Sequence, residues 1–272
     1  MQAERRRQLA VVGLTAPAYL WLLLTIFLPL CVMLFFSFLS KAPFGGRPVE
    51  LSLEHYQRFF ERDFYLFLTW RSLLLGAIVT AVCILVGYPA AFLLAKRVPG
   101  RWREALFLLI ILPFWSNALV RTFSWTMVLR GSGLDILYSY WAIVVGLVHS
   151  YLPYMILTCY LSLQAIDDSL VEAARSLGAS PATVLRRIVL PLSLPGLVTG
   201  VVLIFIPVVG SFMEPRILGG QKGMMLGTVI EDQFTQVFNW PLGAALSFIL
   251  LAAVLAILVV GYTLLRGRLQ PA

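Results

Sequence analysis

The sequence predicts an all-α membrane protein with six transmembrane helices. Of its 272 residues, 60% are hydrophobic and only 12% are charged, and the mean hydropathy is +0.89. A water-soluble domain is about half apolar and a quarter charged, because charge must cover its surface. Apolar runs of about 20 residues, enough for a helix to cross the hydrocarbon core of a bilayer, recur along the chain. The composition therefore excludes an ordinary soluble enzyme and a disordered chain.

The apolar runs belong to one domain. We expect a single transmembrane domain over residues 1–272, with spans at 12–38, 70–95, 104–129, 138–164, 188–213 and 242–265. These runs are too long for strands and lack the alternation of a membrane barrel. The first run follows Arg5-Arg6-Arg7, as a secretion signal does. It is longer than a signal core and no clear cleavage site follows, so we expect an uncleaved span.

Some residues interrupt the apolar runs. Arg121 is the charge inside the third span, and it either snorkels to the membrane surface or pairs with an acid inside the assembly. Prolines in several runs, Pro113 among them, can kink their helices. Gly196 and Gly200 form a GxxxG pattern that permits close helix contact, although chance spacing explains it equally well. His149, in the fourth span, is expected to be a packing residue rather than a proton relay.

The distribution of basic residues predicts the orientation in the membrane. With six spans, both termini and the loop 165–187 lie on one side. That side holds 12 of the 21 basic and 5 of the 13 acidic residues, a net charge of +7, and the other side holds 9 and 8, a net charge of +1. Because basic loops stay in the cytoplasm, the N- and C-termini are expected to be cytoplasmic. Since the basic residues punctuate apolar runs, they indicate membrane topology and not a nucleic-acid partner.

The loop 165–187 is predicted to hold two helices outside the bilayer. Ser169 lies three residues before Glu172, which is the spacing of a capping box, so the first helix is expected to start there. Gly178 suits the left-handed end of that helix. Ser180 and Pro181 then suit the first turn of a second helix.

The first of these two helices carries small and apolar residues along one face: Leu170, Ala173, Ala174 and Leu177. That face either docks on another protein, as a helix in a groove, or lies on the lipid headgroups. The spacing alone leaves both alternatives open.

The same loop resembles a known family. Glu172-Ala173-Ala174, then Gly178, then Ile188-x-Leu190-Pro191 is similar to the EAA loop of the integral-membrane permease subunits of bacterial ABC importers. Two further stretches, residues 112–125 and 214–220 continuing to 230–234, resemble the spermidine/putrescine branch of that family. The resemblance covers nearly the whole chain. It implies the type I ABC importer permease fold, with the first loop helix as a cytoplasmic coupling helix.

The resemblance also implies partners. A cytoplasmic ATP-binding subunit in two copies would dock on the residues Leu170, Glu172, Ala173, Ala174, Leu177 and Gly178. A second homologous permease subunit and a periplasmic solute-binding protein would complete the assembly in the bacterial inner membrane. ATP and magnesium would bind to the partner ATPase, because the chain has no phosphate-binding loop and Gly219–Gly223 lacks its spacing. No catalytic residue, cofactor or metal site is expected in this chain.

The resemblance favours polyamines or a related small cationic solute. Ammonium groups are bound by carboxylates and aromatic faces. Residues of these types near the ends of the spans are the candidates for the solute path: Glu214, Phe212, Met213, Trp115, Asp135, Tyr151, Glu231 and Asp232. Taken singly, each of them is more readily explained as a solvated loop residue, an interfacial aromatic or a packing residue. Glu214 is the strongest candidate because it directly follows an apolar run, with Phe212 and Met213 beside it as an apolar gate.

Two other functions fit the composition less well. An ion-coupled secondary transporter or channel, working without an ATPase, needs acidic residues inside the spans, and the apolar runs lack them. A membrane-embedded enzyme needs a nucleophile–base or metal constellation, and the sequence shows none.

Overall fold

The chain is almost entirely helical. The structure, a computed structural model, describes residues 2–42, 49–133 and 135–269, and side chains within 13–264 of these ranges. The basic residues at the two termini therefore lie where no side chain is described. The helices are α1 (Gln2–Ser37), α2 (Glu54–Glu61), α3 (Asp63–Lys96), α4 (Gly100–Ile111), α5 (Ala118–Gly131), α6 (Tyr140–Gln164), α7 (Asp168–Ser176), α8 (Pro181–Val184), α9 (Leu190–Val209), α10 (Met213–Gly219), α11 (Leu226–Thr235) and α12 (Trp240–Leu269).

Five segments of the described chain are long and apolar enough to cross a membrane. They are Gly13–Ser37, Asp63–Lys96, Tyr140–Gln164, Pro181–Val209 and Trp240–Leu264. They overlap the first, second, fourth, fifth and sixth predicted spans. The all-helical membrane fold predicted from composition is therefore confirmed.

The third predicted span, 104–129, is wrong as a continuous helix. The chain forms α4, a 3-10 turn over Leu112–Trp115 and then α5, and the two halves meet at a bend of 96°. Pro113 has no amide hydrogen to continue the helix ladder, which explains why the helix breaks here. Asn117 then starts α5, because its side chain accepts a hydrogen bond of 2.8 Å from the amide of Leu119. Counted as one broken span, the pair brings the number of candidate spans in the described chain to six.

The centre of the fold is the packing of α3, α6 and α9, and glycines make this packing close. A Cβ atom on Gly196 would lie 2.4 Å from Cβ of Ser162 and 2.5 Å from the carbonyl oxygen of Thr158. A Cβ atom on Gly200 would lie 2.7 Å from the Thr158 hydroxyl. The GxxxG pattern is therefore a contact surface of α9 against α6, as its spacing allows.

Substitution of Gly196 tests this contact. Gly196→Ala should lower the midpoint of thermal unfolding in detergent, because its new methyl group meets backbone and overpacking costs about 1–3 kcal/mol. Gly261→Ala is the matched control, since nothing lies within 4 Å of that position in α12. Equal midpoints for the two variants would contradict the close α6–α9 contact.

A folded insert, residues 210–239, connects α9 to α12. Its helices α10 and α11 pack back against the spans, and many of their residues are buried. The amide of Leu226 donates a hydrogen bond of 3.0 Å to the buried Ser72 hydroxyl in α3, and the amide of Tyr138 donates one of 2.9 Å to the carbonyl of Leu218. The insert is thus part of the core and holds the loop after α5 in place.

Candidate coupling surface and solute path

Helix α7 lies on the surface between α6 and α8. None of its residues is buried. The side chain of Asp167 accepts a hydrogen bond of 2.9 Å from the amide of Ser169, so the capping residue is Asp167 and the predicted start at Ser169 is wrong. This hydrogen bond holds the pKa of the Asp167 carboxyl below its usual value, and the charged form suits the positive end of a helix. Aspartate and serine both cap helices well, so the local sequence could not decide between Asp167 and Ser169 as the capping residue.

The end of α7 and the start of the next helix follow the prediction. Gly178 has a left-handed backbone with φ of +82°, and its amide donates a hydrogen bond of 2.9 Å to the carbonyl of Arg175. The hydroxyl of Ser180 accepts from the amide of Thr183 at 3.3 Å, and Pro181 is the first residue of α8. From there a π-helical turn, Leu185–Val189, leads directly into α9. The loop is therefore joined to the fifth span without an irregular segment.

The faces of α7 differ from the predicted docking face. Ala174 lies half-buried with Val171 against the chain's own core, so it points inward. Leu170 and Leu177 are 48% and 89% exposed. The α7 surface, as we call it below, consists of the outward residues Leu170, Glu172, Ala173, Leu177 and Gly178. It is a small, partly apolar surface that stays exposed within the described part of the chain.

Lys96 connects the N-terminal end of α7 to the second span, a contact that the sequence did not predict. Its ammonium donates hydrogen bonds of 2.7 Å to the carbonyl of Ile166 and 2.6 Å to the carboxylate of Asp168. A cavity of about 420 Å³ lies beside this contact, bounded by α7, α8 and the end of α3. Because 72 residues separate Lys96 from Asp168, no local pattern could have revealed the pair.

The two stretches that resemble the spermidine/putrescine branch of the family, residues 112–125 and 214–220, lie close together in the fold. Helix α10 packs against α5 and α6 just beyond the bend in the third span. Arg121, in the first turn of α5, donates a hydrogen bond of 3.1 Å to the carbonyl of Pro113 and so bridges the bend. The charge of Glu214 in α10 interacts with Arg121 and with Tyr151 in α6. We call Arg121, Glu214 and Tyr151 the path cluster.

Aromatic rings surround the path cluster. The ring centroids of Phe114 and Tyr154 are 4.4 Å apart, and those of Tyr151 and Tyr154 are 5.9 Å apart. Trp125 meets His149 edge-on at 5.4 Å, which agrees with a packing role for that histidine. The bend therefore gathers one carboxylate, one guanidinium and several aromatic faces, which is the chemistry that binds an organic cation.

Glu214 is the least compensated acid of this region. Burial raises the pKa of its carboxyl, and its own backbone amide and the Arg121 guanidinium oppose that rise. None of the ion pairs within 4.0 Å found among the described residues includes Glu214. A half-buried carboxylate without a close cation is partly desolvated and uncompensated, so the site favours an additional positive charge.

Glu231 and Asp232 are already compensated within the insert. One terminal nitrogen of the Arg216 guanidinium lies 2.7 Å from a carboxylate oxygen of Glu231 and 2.5 Å from one of Asp232. These contacts tie α10 to α11, which is a structural use of both acids. Sequence reasoning placed both acids in a loop before the sixth span and could not foresee this pairing.

The remaining candidate path residues are spread around the cluster. Phe212 and Glu231 line a mostly apolar cavity of about 480 Å³ between α9, the insert and α12. Met213 is the half-buried first residue of α10, and Trp115 is 90% exposed at the bend. Asp135 is exposed in the loop after α5 and has a left-handed backbone, with φ of 46°. Among the described residues, no group of three His, Cys, Asp or Glu side chains could hold a metal ion.

The fold and these surfaces are those of a multi-span membrane subunit of the permease class. The family model for the binding-protein-dependent transport system inner membrane component matches residues 87–271. The chain therefore belongs to the family of binding-protein-dependent transport system inner membrane components.

Relatives and solved structures agree with this assignment. The chain is 34% identical over 257 residues to the spermidine/putrescine transport system permease protein PotB of Haemophilus influenzae, covering 89% of each chain. It is 28% identical over 180 residues to the permease protein PotC of the same organism's spermidine/putrescine transport system, covering 66% of this chain and 68% of PotC. A bacterial ABC transporter that imports the acidic polysaccharide alginate contains a chain of the same fold. That match has a TM-score of 0.73 at 15% identity and covers 97% of this chain and 98% of the other. The fold is thus that of the type I ABC importer permeases, as the loop resemblance implied.

Proposed function

We propose that the chain forms part of the transmembrane path of an ATP-driven importer that moves polyamines, such as spermidine and putrescine, from the periplasm to the cytoplasm. The observation that carries this proposal is the path cluster, in which the half-buried Glu214 carboxylate has no ion pair within the described residues and its neighbour Tyr151 packs against a further aromatic ring. An ammonium group supplies the missing charge, and the tyrosine faces suit its carbon chain. The names of the relatives support the same class of solute.

In this proposal, the energy comes from another subunit. The α7 surface docks on a cytoplasmic ATP-binding subunit, which binds ATP and magnesium and is present in two copies. The sequence carries no phosphate-binding loop, and we expect no catalytic group or cofactor in this chain. The exposed Leu170 and Leu177 supply an apolar contact, and the small Ala173 allows a close approach.

The remaining partners and the orientation follow from the same assignment. The N- and C-termini and α7 face the cytoplasm of a bacterial cell, because their side carries the excess of basic residues. A second, homologous permease completes the path, as two different permease proteins named for one transport system in the relatives suggest. A periplasmic solute-binding protein delivers the solute on the opposite side, in keeping with the family's name.

The connections of α7 explain how a movement would reach the path. Lys96 joins the base of α7 to α3, and the helical segment after Pro181 joins it to α9. A displacement of α7 by the ATPase would therefore move both spans as rigid bodies. The insert, which carries Glu214 of the path cluster, follows directly after α9.

Replacing Lys96 tests this connection. Lys96→Met keeps the length of the side chain but removes the two hydrogen bonds, and we expect about a three- to tenfold loss of solute transported per ATP, as for the loss of about 1 kcal/mol of coupling. Arg97→Met is the matched control, because Arg97 is the exposed neighbouring cation at the end of α3. Equal effects of both substitutions would contradict a specific role for Lys96.

Reconstitution tests the proposed function. The chain, purified with the subunits that accompany it, is placed in liposomes, and uptake of radiolabelled spermidine is measured in the presence of the solute-binding protein. We expect uptake only when ATP is available to the ATP-binding subunit. Uptake by this chain alone, without ATP, would replace the proposal with an ion-coupled transporter or channel.

A further inference from the structure

A compact junction joins the end of the first span to α2. We call it the α1–α2 junction, and it comprises residues 37–42 and 49–59. The amide of Ser52 donates a hydrogen bond of 2.7 Å to the carbonyl of Phe38, and the side chain of Leu39 is fully buried. Elsewhere in the described chain, α1 packs mainly against α12. The junction is therefore the second attachment of the first span to the rest of the fold.

His55 lies at the centre of this junction. It is only 2% exposed, and its Nε2 atom lies 3.2 Å from the carbonyl oxygen of Ser40. A carbonyl oxygen can only accept, so Nε2 carries the hydrogen and Nδ1 is the unprotonated nitrogen of the neutral ring. Nδ1 is buried and has no hydrogen-bond partner among the described residues. A second proton on the ring would therefore add a buried charge and a donor without an acceptor there, which is costly.

The charge next to His55 also opposes a second proton. Arg58, one turn further along α2, forms an ion pair with Glu54. Burial and then the Arg58 charge lower the pKa of His55, while the carbonyls of Ser40 and Leu39 and the Glu54 charge oppose that change. The first three turns of α12 carry no charged residue. The other charged or titratable side chains that the packed elements bring to this end of the fold are Lys41 and Glu50 from the two loop segments, Tyr56 and Glu61 from α2, and Arg62, Asp63 and Tyr65 from the start of α3.

We propose that His55 is a pH-sensitive latch of the first span: its neutral imidazole holds the α1–α2 junction closed, and protonation of Nδ1 in acid opens the junction. This inference goes beyond the proposed function and does not depend on the solute. In the open junction the imidazole meets water and has the ordinary histidine pKa of about 6.5, whereas in the closed junction that pKa is lower. The closed form is therefore fully favoured above about pH 6.5 and is lost progressively as the pH falls below that value.

Amide hydrogen exchange measures the opening of the junction. The assembled importer in detergent is compared with its His55→Gln variant at about pH 7.5 and about pH 5.5, and exchange of residues 49–59 is followed by mass spectrometry. Glutamine stays neutral, and its amide can donate to Ser40 in place of Nε2. At about pH 5.5 an exposed histidine is protonated about ten times more often than it is neutral. Relative to His55→Gln, we therefore expect the parent junction to exchange about three- to tenfold faster at about pH 5.5 than at about pH 7.5.

Tyr56→Phe is the matched control for a merely structural role. The Tyr56 hydroxyl donates a hydrogen bond of 2.8 Å to the Ser37 hydroxyl in the same junction. Its loss should speed exchange by a similar factor at both pH values and leave the acid-dependent increase in place, because His55 is retained. His149→Gln removes the other of the two histidines in the chain and should leave exchange of the junction unchanged.

Each outcome decides the inference. If the ratio of the rates at the two pH values is the same in the parent and in His55→Gln, His55 is no latch and the inference is wrong. If His55→Gln does not assemble, His149→Gln decides, because His55 is then the only histidine of the chain. An acid-dependent increase beyond that of the same residues in a free, unstructured peptide supports the latch, and an equal pH dependence of protein and peptide contradicts it. Uptake plays no part in this measurement, so a failure of the proposed function would be a separate result.

Discussion

Replacing Gly178 with leucine is expected to lower solute uptake by more than about tenfold, while ATP hydrolysis by the assembled importer continues. A tenfold loss of uptake corresponds to about 1.4 kcal/mol of lost coupling free energy. Two effects combine at this position. Its backbone is left-handed, with φ of +82°, and a residue with a Cβ atom loses about 1–2 kcal/mol there. The residue is also exposed on the α7 surface, where a large side chain would hold the ATP-binding subunit away. Uptake and phosphate release are measured on the same proteoliposomes.

Gly133→Leu is the matched control for this substitution. Gly133 is also left-handed, with φ of +69°, and, as at Gly178, nothing lies within 4 Å of its added Cβ position. Both variants should therefore suffer a similar loss of thermal stability in detergent, and only Gly178→Leu should uncouple hydrolysis from uptake. Normal uptake by Gly178→Leu would contradict the assignment of α7 as the coupling element.

The second large effect is expected at Glu214. Glu214→Gln keeps the shape of the side chain and removes the charge that an ammonium group needs. A hydrogen bond to a charged group contributes about 1.5–3 kcal/mol, so spermidine uptake should fall by about ten- to a hundredfold. Assembly with the partner subunits should be unchanged, since no ion pair within the described chain depends on Glu214.

Asp135→Asn is the control for the loss of a carboxylate on the same side of the chain. Asp135 is exposed, and asparagine tolerates its left-handed backbone. Its uptake should stay within about twofold of the parent, as is usual for surface substitutions. A loss at Asp135 equal to that at Glu214 would show that general surface charge, and not the path cluster, attracts the solute.

The extramembrane loop could be predicted from sequence because its determinants are local. The glycine at the end of α7 and the Ser180-Pro181 start of α8 each act through residues within one helical turn. The capping residue of α7 was misjudged by two residues because Asp167 and Ser169 are both good caps. The inward position of Ala174 could not be read from the helix alone, since it depends on which face the spans cover.

The bend and the insert could not be predicted in the same way. Hydropathy shows that residues 104–129 are apolar, but it does not show in which direction the helix runs. The two helices on either side of the 96° bend after Pro113 were therefore predicted as one straight span. The contacts that fold the insert join residues far apart, as between Ser72 and Leu226 or between Arg216 and the acids of α11. The packing of α10 against α5 and α6 follows from both features, and so the sequence could suggest Glu214 but not the helices that surround it.

The central claim is that α7 lies on the cytoplasmic side and touches an ATP-binding subunit. The most direct test places a cysteine at Leu177, the more exposed of the two leucines of the α7 surface, in a chain whose exposed Cys31 is replaced by serine. We expect a bifunctional thiol reagent to cross-link this cysteine to the ATP-binding subunit, and a membrane-impermeant thiol reagent to label it only from the cytoplasmic side. Labelling from the periplasmic side, or a fully assembled importer in which Leu177→Cys cross-links to no companion chain, would contradict the account.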